Sequence, residues 1–157
     1  LTQKTLDGIL AHAREEYPSE CCGAVTEDRA EGQQVHRCKN IQDKLHASDP
    51  ETHPRTSREA YRMDDMQLYR VLSDTEEKGG RLIAFYHSHI DCDAYFSEED
   101  QTAATSLGEP AYPDAAHLVV PVIGGEIGGG KAFRWDSETK AFPEIPVRSG
   151  GAVSRGP

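Results

Sequence analysis

The sequence predicts a single α/β domain in which a β-sheet carries helices on its faces. Three observations lead to this prediction. The chain has 157 residues, an ordinary size for one domain. Apolar residues recur at helical spacing in two segments, while the apolar runs RLIAFY and HLVVPVIG are typical of buried strands. Helices and strands are mixed along the chain without the strict alternation of a doubly wound fold.

The first predicted element is a helix over residues 2–17, which Pro18 ends. One face of this helix is apolar at helical spacing: Leu6, Ile9, Leu10, Ala13 and Tyr17. The alternating runs CCGAVTE and QQVHRCKN follow, with DRAEG between them, and predict a pair of antiparallel strands. Residues 43–57 are polar and contain two prolines, which predicts a loop that frames a site and contacts substrate.

The second half of the chain begins with a helix that Asp64 caps and that ends at residues 78–80, Lys-Gly-Gly. RLIAFYHSH predicts a buried strand that ends in two histidines. SEEDQTAATSLG predicts a short helix, HLVVPVIG a buried strand, GGEIGGG a flexible turn, and KAFRWD and KAFPEIPV two further strands. Residues 148–157 lack apolar periodicity, so we expect a folded domain over residues 1–147 and a disordered tail after it.

Composition excludes several functional classes. The net charge of -10 and the pI near 5.1 argue against non-specific nucleic-acid binding. No apolar run has the length of a membrane span, and the amphipathic N-terminal segment is no signal peptide, so we expect a cytoplasmic protein without a membrane partner. The four cysteines form neither a disulfide framework nor a zinc finger, and we expect Cys21, Cys22 and Cys38 to be reduced. The sequence carries no signal for an oligomeric state.

The stretch HSHIDCDAYFSEED, residues 87–100, contains a candidate metal site. His87 and His89 are two positions apart at a strand end, so their side chains leave the same face about 7 Å apart. Asp100 lies in the first turn of the next predicted helix, where a strand-loop-helix return brings its carboxylate back to the imidazoles. Two nitrogens and one oxygen leave a tetrahedral zinc with one open position, as in hydrolytic rather than structural sites.

Other interpretations of the same residues stay open at this point. Histidines at strand ends are more often hydrogen-bonded or exposed than they are ligands. Asp91 and Asp93 suggest a calcium loop, although the glycine and the terminal glutamate of an EF-hand are missing. Ser97 and Asp100 match a helix capping box, which competes with metal ligation for the same carboxylate. Cys92 is an alternative third ligand, because thiolate is the softer zinc donor.

Two separated motifs resemble those of a known family. HSH followed by seven residues and SxxD resembles the JAMM motif of the MPN+ metallopeptidases, which include proteasomal and signalosome deubiquitinases and small prokaryotic relatives. PSECCG, residues 18–23, is similar to the PxExCG context in which bacterial members carry an early glutamate. The resemblance extends from the first helix to about Val147. Ile90 and Phe96 stand where the family commonly has proline, and we expect an altered loop shape there rather than a lost metal site.

The resemblance implies the fold and the role of each motif residue. It implies the MPN (JAMM) fold, a central mixed β-sheet flanked by helices in a single domain. Zn²⁺ would be held by His87, His89 and Asp100. Glu20 would act as the general base on a zinc-bound water, and Ser97 would donate a hydrogen bond to the oxyanion of the tetrahedral intermediate.

The resemblance also implies a class of substrate. Members of the family cut after the C-terminal Gly-Gly of ubiquitin-like β-grasp proteins, and small bacterial members are associated with sulfur-carrier proteins. We therefore expect a zinc metallopeptidase or isopeptidase whose partner is such a protein, and removal of ubiquitin-like modifiers from lysines stays open. Two alternatives remain: a non-catalytic MPN scaffold that binds partners, and a zinc hydrolase of a small-molecule amide.

Overall fold

A mixed seven-stranded sheet forms the centre of the protein, whose computed structural model describes residues 1–147. The helices are α1 (Gln3–Glu16), α2 (Gln42–Ser48), α3 (Asp65–Glu77) and α4 (Glu98–Ala103). The strands are β1 (Cys22–Asp28), β2 (Gly32–Cys38), β3 (Arg81–Ile90), β4 (Thr105–Ser106), β5 (Glu109–Pro110), β6 (Ala116–Ile123), β7 (Glu126–Ile127), β8 (Lys131–Phe133) and β9 (Glu144–Ile145). The tail predicted for residues 148–157 lies outside the described residues.

The order of the main sheet is β2-β1-β3-β6-β8-β9, with β7 paired to β6. Among the strand pairs of residues 1–147, only β3–β6 is parallel, and the other pairs of this sheet are antiparallel. Strand β3 therefore has neighbours on both sides. Helices also cover both faces of β3, with α1 on one face and α3 on the other, as its run of apolar residues on both faces requires.

Helix α1 covers one face of the sheet. Its N-terminus is capped by Thr2, whose hydroxyl accepts a hydrogen bond of 3.1 Å from the backbone N–H of Thr5. Ile9 and Ala13 are fully buried in a cluster with Tyr86 of β3. The predicted helix over residues 2–17 is thus confirmed to within a residue at each end.

The opposite face of the sheet is covered by α3 and by the segment around α4. Asp64 caps α3 as predicted, since its carboxylate accepts from the N–H groups of Met66 and Gln67. Because side chains alternate along a strand, Tyr86 and Ile90 pack on the α1 side, whereas His87 and His89 project to the α3 and α4 side.

Several predicted boundaries were wrong. The segment predicted as a loop, residues 43–57, begins inside α2. This helix was missed because its sequence is polar and shows no apolar periodicity. The predicted helix over residues 97–108 ends at Ala103, because β4 and β5 form a small hairpin around Gly108, which has a φ of +80°. The turn predicted for residues 124–130 contains β7. Strands β8 and β9 are only parts of the KAFRWD and KAFPEIPV segments.

Candidate active site

Three predicted ligands lie close together on the face of the sheet opposite α1: His87, His89 and Asp100. The Nε2 atoms of the two histidines are 3.2 Å apart, and Oδ2 of Asp100 lies 3.2 Å from His87 Nε2 and 3.5 Å from His89 Nε2. All three side chains are buried. Strand alternation places the two imidazoles together, and α4 returns the carboxylate to them, as the spacing predicted.

This arrangement fits a metal ion with tetrahedral coordination. Nitrogen and oxygen ligands about 2.0–2.1 Å from a tetrahedral zinc are about 3.3–3.4 Å from one another, close to the three separations observed. His89 Nδ1 lies 3.0 Å from the carbonyl oxygen of Asp93. When Nδ1 carries the proton, its N–H donates a hydrogen bond to that carbonyl, and Nε2 keeps its lone pair for a metal. The buried group can therefore bind a metal.

Asp100 is held in place by the capping box of α4. Its backbone N–H donates to Ser97 Oγ at 3.0 Å, and its Oδ2 accepts from the backbone N–H of Ser97 at 3.0 Å. The sequence suggested that capping and ligation compete for this carboxylate. In the structure the Oδ2 that accepts the capping hydrogen bond also faces the two histidines, so the cap fixes the carboxylate in an orientation compatible with ligation.

The local environment shifts the pKa values of these groups. Burial lowers the pKa of His87, which favours the neutral imidazole that a metal requires. Burial opposes ionisation of Asp100, but its hydrogen bonds with His87 and His89 outweigh that effect and hold its pKa well below the ordinary value. For His89, burial lowers the pKa, but the hydrogen bonds to Asp100 and Asp93 together with nearby negative charge raise it overall.

Glu20 is positioned by backbone hydrogen bonds on both sides. Its own N–H donates to the carbonyl of Ser57 at 2.7 Å, and its carbonyl accepts from Asn40 Nδ2 at 2.9 Å. The next residue, Cys21, donates its N–H to Ser88 Oγ at 2.8 Å. Ser88, the middle residue of the HSH motif, thus ties the Glu20 segment to the strand that carries both histidines.

Glu20 lines the same cavity as His89 and Asp100. The cavity has a volume of about 460 Å³, and its wall includes Glu20, His89, Ser97 and Asp100. The Glu20 side chain is largely buried, with 5% of its surface exposed. Burial raises its pKa to about 8, against the opposing charge of His89.

The other sequence candidates lie near the site in different roles. Cys92 is exposed and lines the cavity, but within the described residues the group that can hold a metal consists of the two histidines and Asp100. The Asp91 carboxylate accepts hydrogen bonds from Tyr17 and from the backbone of Gly124, so it serves the fold. The thiols of Cys21, Cys22 and Cys38 are free, as expected, and all three residues are buried.

Ile90 and Phe96, which stand where the family that the motifs resemble commonly has proline, both pack into the fold. Ile90 extends β3 by one residue, pairs with Val122 of β6 and is buried against the α1 face. Phe96 is buried on the opposite face, with ring centroids 5.5 Å from Phe133 and 5.0 Å from Phe142. Packing therefore shapes the loop between β3 and α4, where proline would restrict the backbone itself.

Sequence reasoning gave no role to Tyr61 or Ser57. The Tyr61 ring stacks on His87 with a centroid separation of 4.4 Å, and Ser57 holds the backbone of Glu20. The only signal for this region was the polar segment over residues 43–57. Its residues 52–55 do line the cavity, whereas its contacts with substrate stay a prediction.

Comparison with known proteins identifies the family. Residues 2–137 match the family described as prokaryotic homologs of the JAB domain, and the chain belongs to this family. A structure from Desulfitobacterium hafniense superimposes with a TM-score of 0.68 at 22% identity, covering 94% of this chain and 90% of that one. A JAB1/MPN domain protein from Archaeoglobus fulgidus gives a TM-score of 0.53 at 12% identity, covering 95% and 96%. The predicted MPN fold is confirmed.

Three curated relatives are also similar. Tail tip assembly protein K of Escherichia phage N15 is 33% identical over 101 residues, 64% of this chain and only 34% of that protein, so this chain spans about a third of its length. CysO-cysteine peptidase of Mycobacterium tuberculosis is 29% identical over 118 residues, 73% of this chain and 67% of the relative. Desampylase of Haloferax volcanii is 31% identical over 109 residues, covering 65% and 69%.

Within residues 1–147, no helix combines the length and the apolar character needed to cross a membrane.

Proposed function

We propose that the protein is a zinc-dependent peptidase that hydrolyses the bond after the C-terminal Gly-Gly of a ubiquitin-like or sulfur-carrier β-grasp protein. The observation that carries the proposal is the buried His87, His89 and Asp100 group, of which His89 and Asp100 line the same cavity as Glu20. Two relatives support the class of substrate through their names, CysO-cysteine peptidase and desampylase.

His87, His89 and Asp100 would hold the zinc. When bound, zinc lowers the pKa of a coordinated water to about 7 and polarises the scissile carbonyl. The buried carboxylate and the neutral imidazole of His87 suit this ion better than calcium or magnesium, which prefer all-oxygen ligand sets.

Glu20 would move the proton in this reaction. Its carboxylate takes a proton from the attacking water and gives it to the leaving amine as the C–N bond breaks. The products are the carrier ending in a Gly-Gly carboxylate and a free amine, so one water is consumed. A carboxyl group whose pKa is raised towards neutrality is suited to both halves of this transfer.

Ser97 would stabilise the negative charge that develops on the carbonyl oxygen. Its Oγ uses a lone pair to accept the N–H of Asp100, while its O–H hydrogen has no acceptor among the described residues. The hydroxyl is therefore free to donate into the cavity that it lines.

The test uses β-grasp carrier proteins that are extended by one or more residues beyond a C-terminal Gly-Gly. The zinc-loaded protein should convert each cleaved carrier to the form ending in Gly-Gly, measured by intact mass. Glu20→Gln should bind zinc but cleave at least about 10²-fold more slowly. Cleavage by Glu20→Gln at the wild-type rate would remove Glu20 from the mechanism. Zinc binding without cleavage of any extended carrier would favour the scaffold or the small-molecule hydrolase.

A further inference from the structure

The two histidines of the candidate metal site are held in place in different ways. His89 Nδ1 lies 3.0 Å from the carbonyl oxygen of Asp93, and this hydrogen bond fixes the plane of its imidazole. Within residues 1–147, His87 Nδ1 has no hydrogen-bond partner, and only Nε2 contacts the polar groups of His89 and Asp100. A histidine that binds metal through one nitrogen almost always donates a hydrogen bond from the other, so His87 needs another means of orientation.

The ring of Tyr61 lies against the imidazole of His87. The two centroids are 4.4 Å apart and the planes are inclined by 26°, which is a stacked arrangement. The tyrosine also packs against a buried cluster of the sheet that includes Cys22, Met63 and Phe85. The torsion that turns an imidazole about its Cβ–Cγ bond has broad minima, so a ring stacked on one face restricts a rotation that is otherwise easy.

Asn40 fixes the backbone on both sides of Tyr61. Its Nδ2 donates to the carbonyl of Ala60 at 3.2 Å, and its Oδ1 accepts the N–H of Arg62 at 3.0 Å. The same Nδ2 donates to the carbonyl of Glu20 at 2.9 Å. One side-chain amide thus joins the segment of the candidate base to both neighbours of the tyrosine, so the Tyr61 ring is attached at a defined position in the cavity wall.

A second tyrosine contacts the other histidine in a different way. The ring of Tyr95 meets His89 edge-on, with centroids 4.8 Å apart and an angle of 67° between the planes, and Tyr95 is 52% exposed. Because the hydrogen bond to Asp93 already holds His89, this contact is not needed for its orientation. Tyr61 and Tyr95 therefore form a matched pair, with one tyrosine beside each histidine.

We propose that Tyr61 is a positioning residue for the metal site: its ring takes the place of the hydrogen bond that His87 lacks and keeps Nε2 directed towards the other two ligands. This inference rests on the proposed function, in which His87, His89 and Asp100 hold zinc. An ion at Nε2 draws electron density from the imidazole, and a more positive ring stacks more strongly on the electron-rich face of a tyrosine. Tyr61 should therefore raise the affinity for zinc.

The test measures zinc affinity by competition with a chromogenic chelator. Tyr61→Leu should weaken binding about tenfold or more, as when a hydrogen-bond partner of a ligand is removed from a metal site. Tyr61→Phe keeps the ring and loses a hydroxyl that has no hydrogen-bond partner within residues 1–147, so its affinity should stay within about twofold of the wild type. Tyr95→Leu is the matched control and should also stay within about twofold, because the hydrogen bond of His89 is retained.

A second readout reports the geometry of the site. The visible absorption of the cobalt-substituted protein depends on the arrangement of the ligands. At saturating cobalt, Tyr61→Leu should change this spectrum, whereas Tyr61→Phe and Tyr95→Leu should keep it. Circular dichroism of the metal-free proteins shows which variants are folded, and Tyr61→Met, which fills more of the space without an aromatic face, replaces Tyr61→Leu if that variant does not fold.

Turnover separates a positioning residue from a catalytic one. On a carrier that the wild type cleaves, Tyr61→Leu should recover most of its kcat when free zinc is raised well above the weakened Kd, because its defect lies in the occupancy of the site. Glu20→Gln should not recover under the same conditions, since its zinc is already bound.

Three results would overturn the role of Tyr61: wild-type zinc affinity in Tyr61→Leu, an equal loss in Tyr61→Phe, which would assign the effect to the hydroxyl, or an equal loss in Tyr95→Leu. Failure of the zinc-loaded wild type to cleave any extended carrier overturns the proposed function and leaves the measured role of Tyr61 in metal binding intact. A wild type that binds no zinc overturns both.

Discussion

Replacing Ser97 by alanine separates its structural role from its proposed catalytic one. The change removes the hydroxyl that accepts the Asp100 N–H but leaves the backbone N–H that donates to Asp100 Oδ2. The carboxylate therefore stays in place, and zinc content should be unchanged. Loss of the cap should cost about 1 kcal/mol, or about 2–4 °C in Tm for a domain of this size.

The rate should fall much more than the stability. A lost oxyanion donor costs roughly 10²-fold in kcat, because it interacts most strongly with charge that exists only in the transition state. Ser97→Thr keeps a hydroxyl and a cap but adds a methyl group in the cavity, so it should retain most of the stability and only part of the rate. Thermal melts and steady-state kinetics on both variants decide the matter. A lower Tm with an unchanged kcat in Ser97→Ala would refute the catalytic role.

Three further predictions concern the metal, the base and the core. Elemental analysis should find one zinc per reconstituted chain and a large loss in His89→Ala; undiminished zinc in that variant would contradict the ligand assignment. Glu20→Gln should keep the wild-type zinc content and Tm, since the side chain is a neighbour and not a ligand of the ion. Burial lowers the pKa of His12 to about 4, so its stabilising effect is complete above about pH 6.5 and is lost as the pH falls towards 4. Between pH 7 and pH 5, urea unfolding should show a loss of stability that is smaller in His12→Asn than in the wild type by on the order of 1–2 kcal/mol, because other buried histidines such as His117, whose pKa burial also lowers to about 4, titrate in both proteins; equal losses would exclude His12.

The elements that were predicted correctly are those whose sequence signals lie within a few neighbouring residues. Helix α3 has a capping Asp64 at one end and Gly79, with a φ of +72°, beyond the other. Strand β3 is a continuous apolar run. The errors fall where pairing with distant residues decides the structure, as in the β4–β5 hairpin that ends the α4 segment, or where a polar helix such as α2 shows no apolar face.

The residues of the candidate site also fall into two groups, those whose placement a local sequence pattern predicts and those whose placement depends on tertiary structure. Alternation along one strand predicts that His87 and His89 share a face, and the capping pattern predicts the orientation of Asp100. The position of Glu20 depends instead on the antiparallel pairing of β1 and β3, in which Cys22 is opposite His87. No local pattern encodes that register, so only the resemblance of motifs could bring Glu20 to the site.

The capping box joins metal binding to the folding of α4. Two of the three proposed ligands lie on a central strand, but the third lies on a helix of six residues, too short to be stable by itself. An ion at the site would therefore stabilise α4 by mass action, and any change that loosens α4 would weaken the affinity for the ion by the same free energy. This linkage allows substitutions on the exposed side of α4 to tune metal affinity over a wide range while the sheet remains intact.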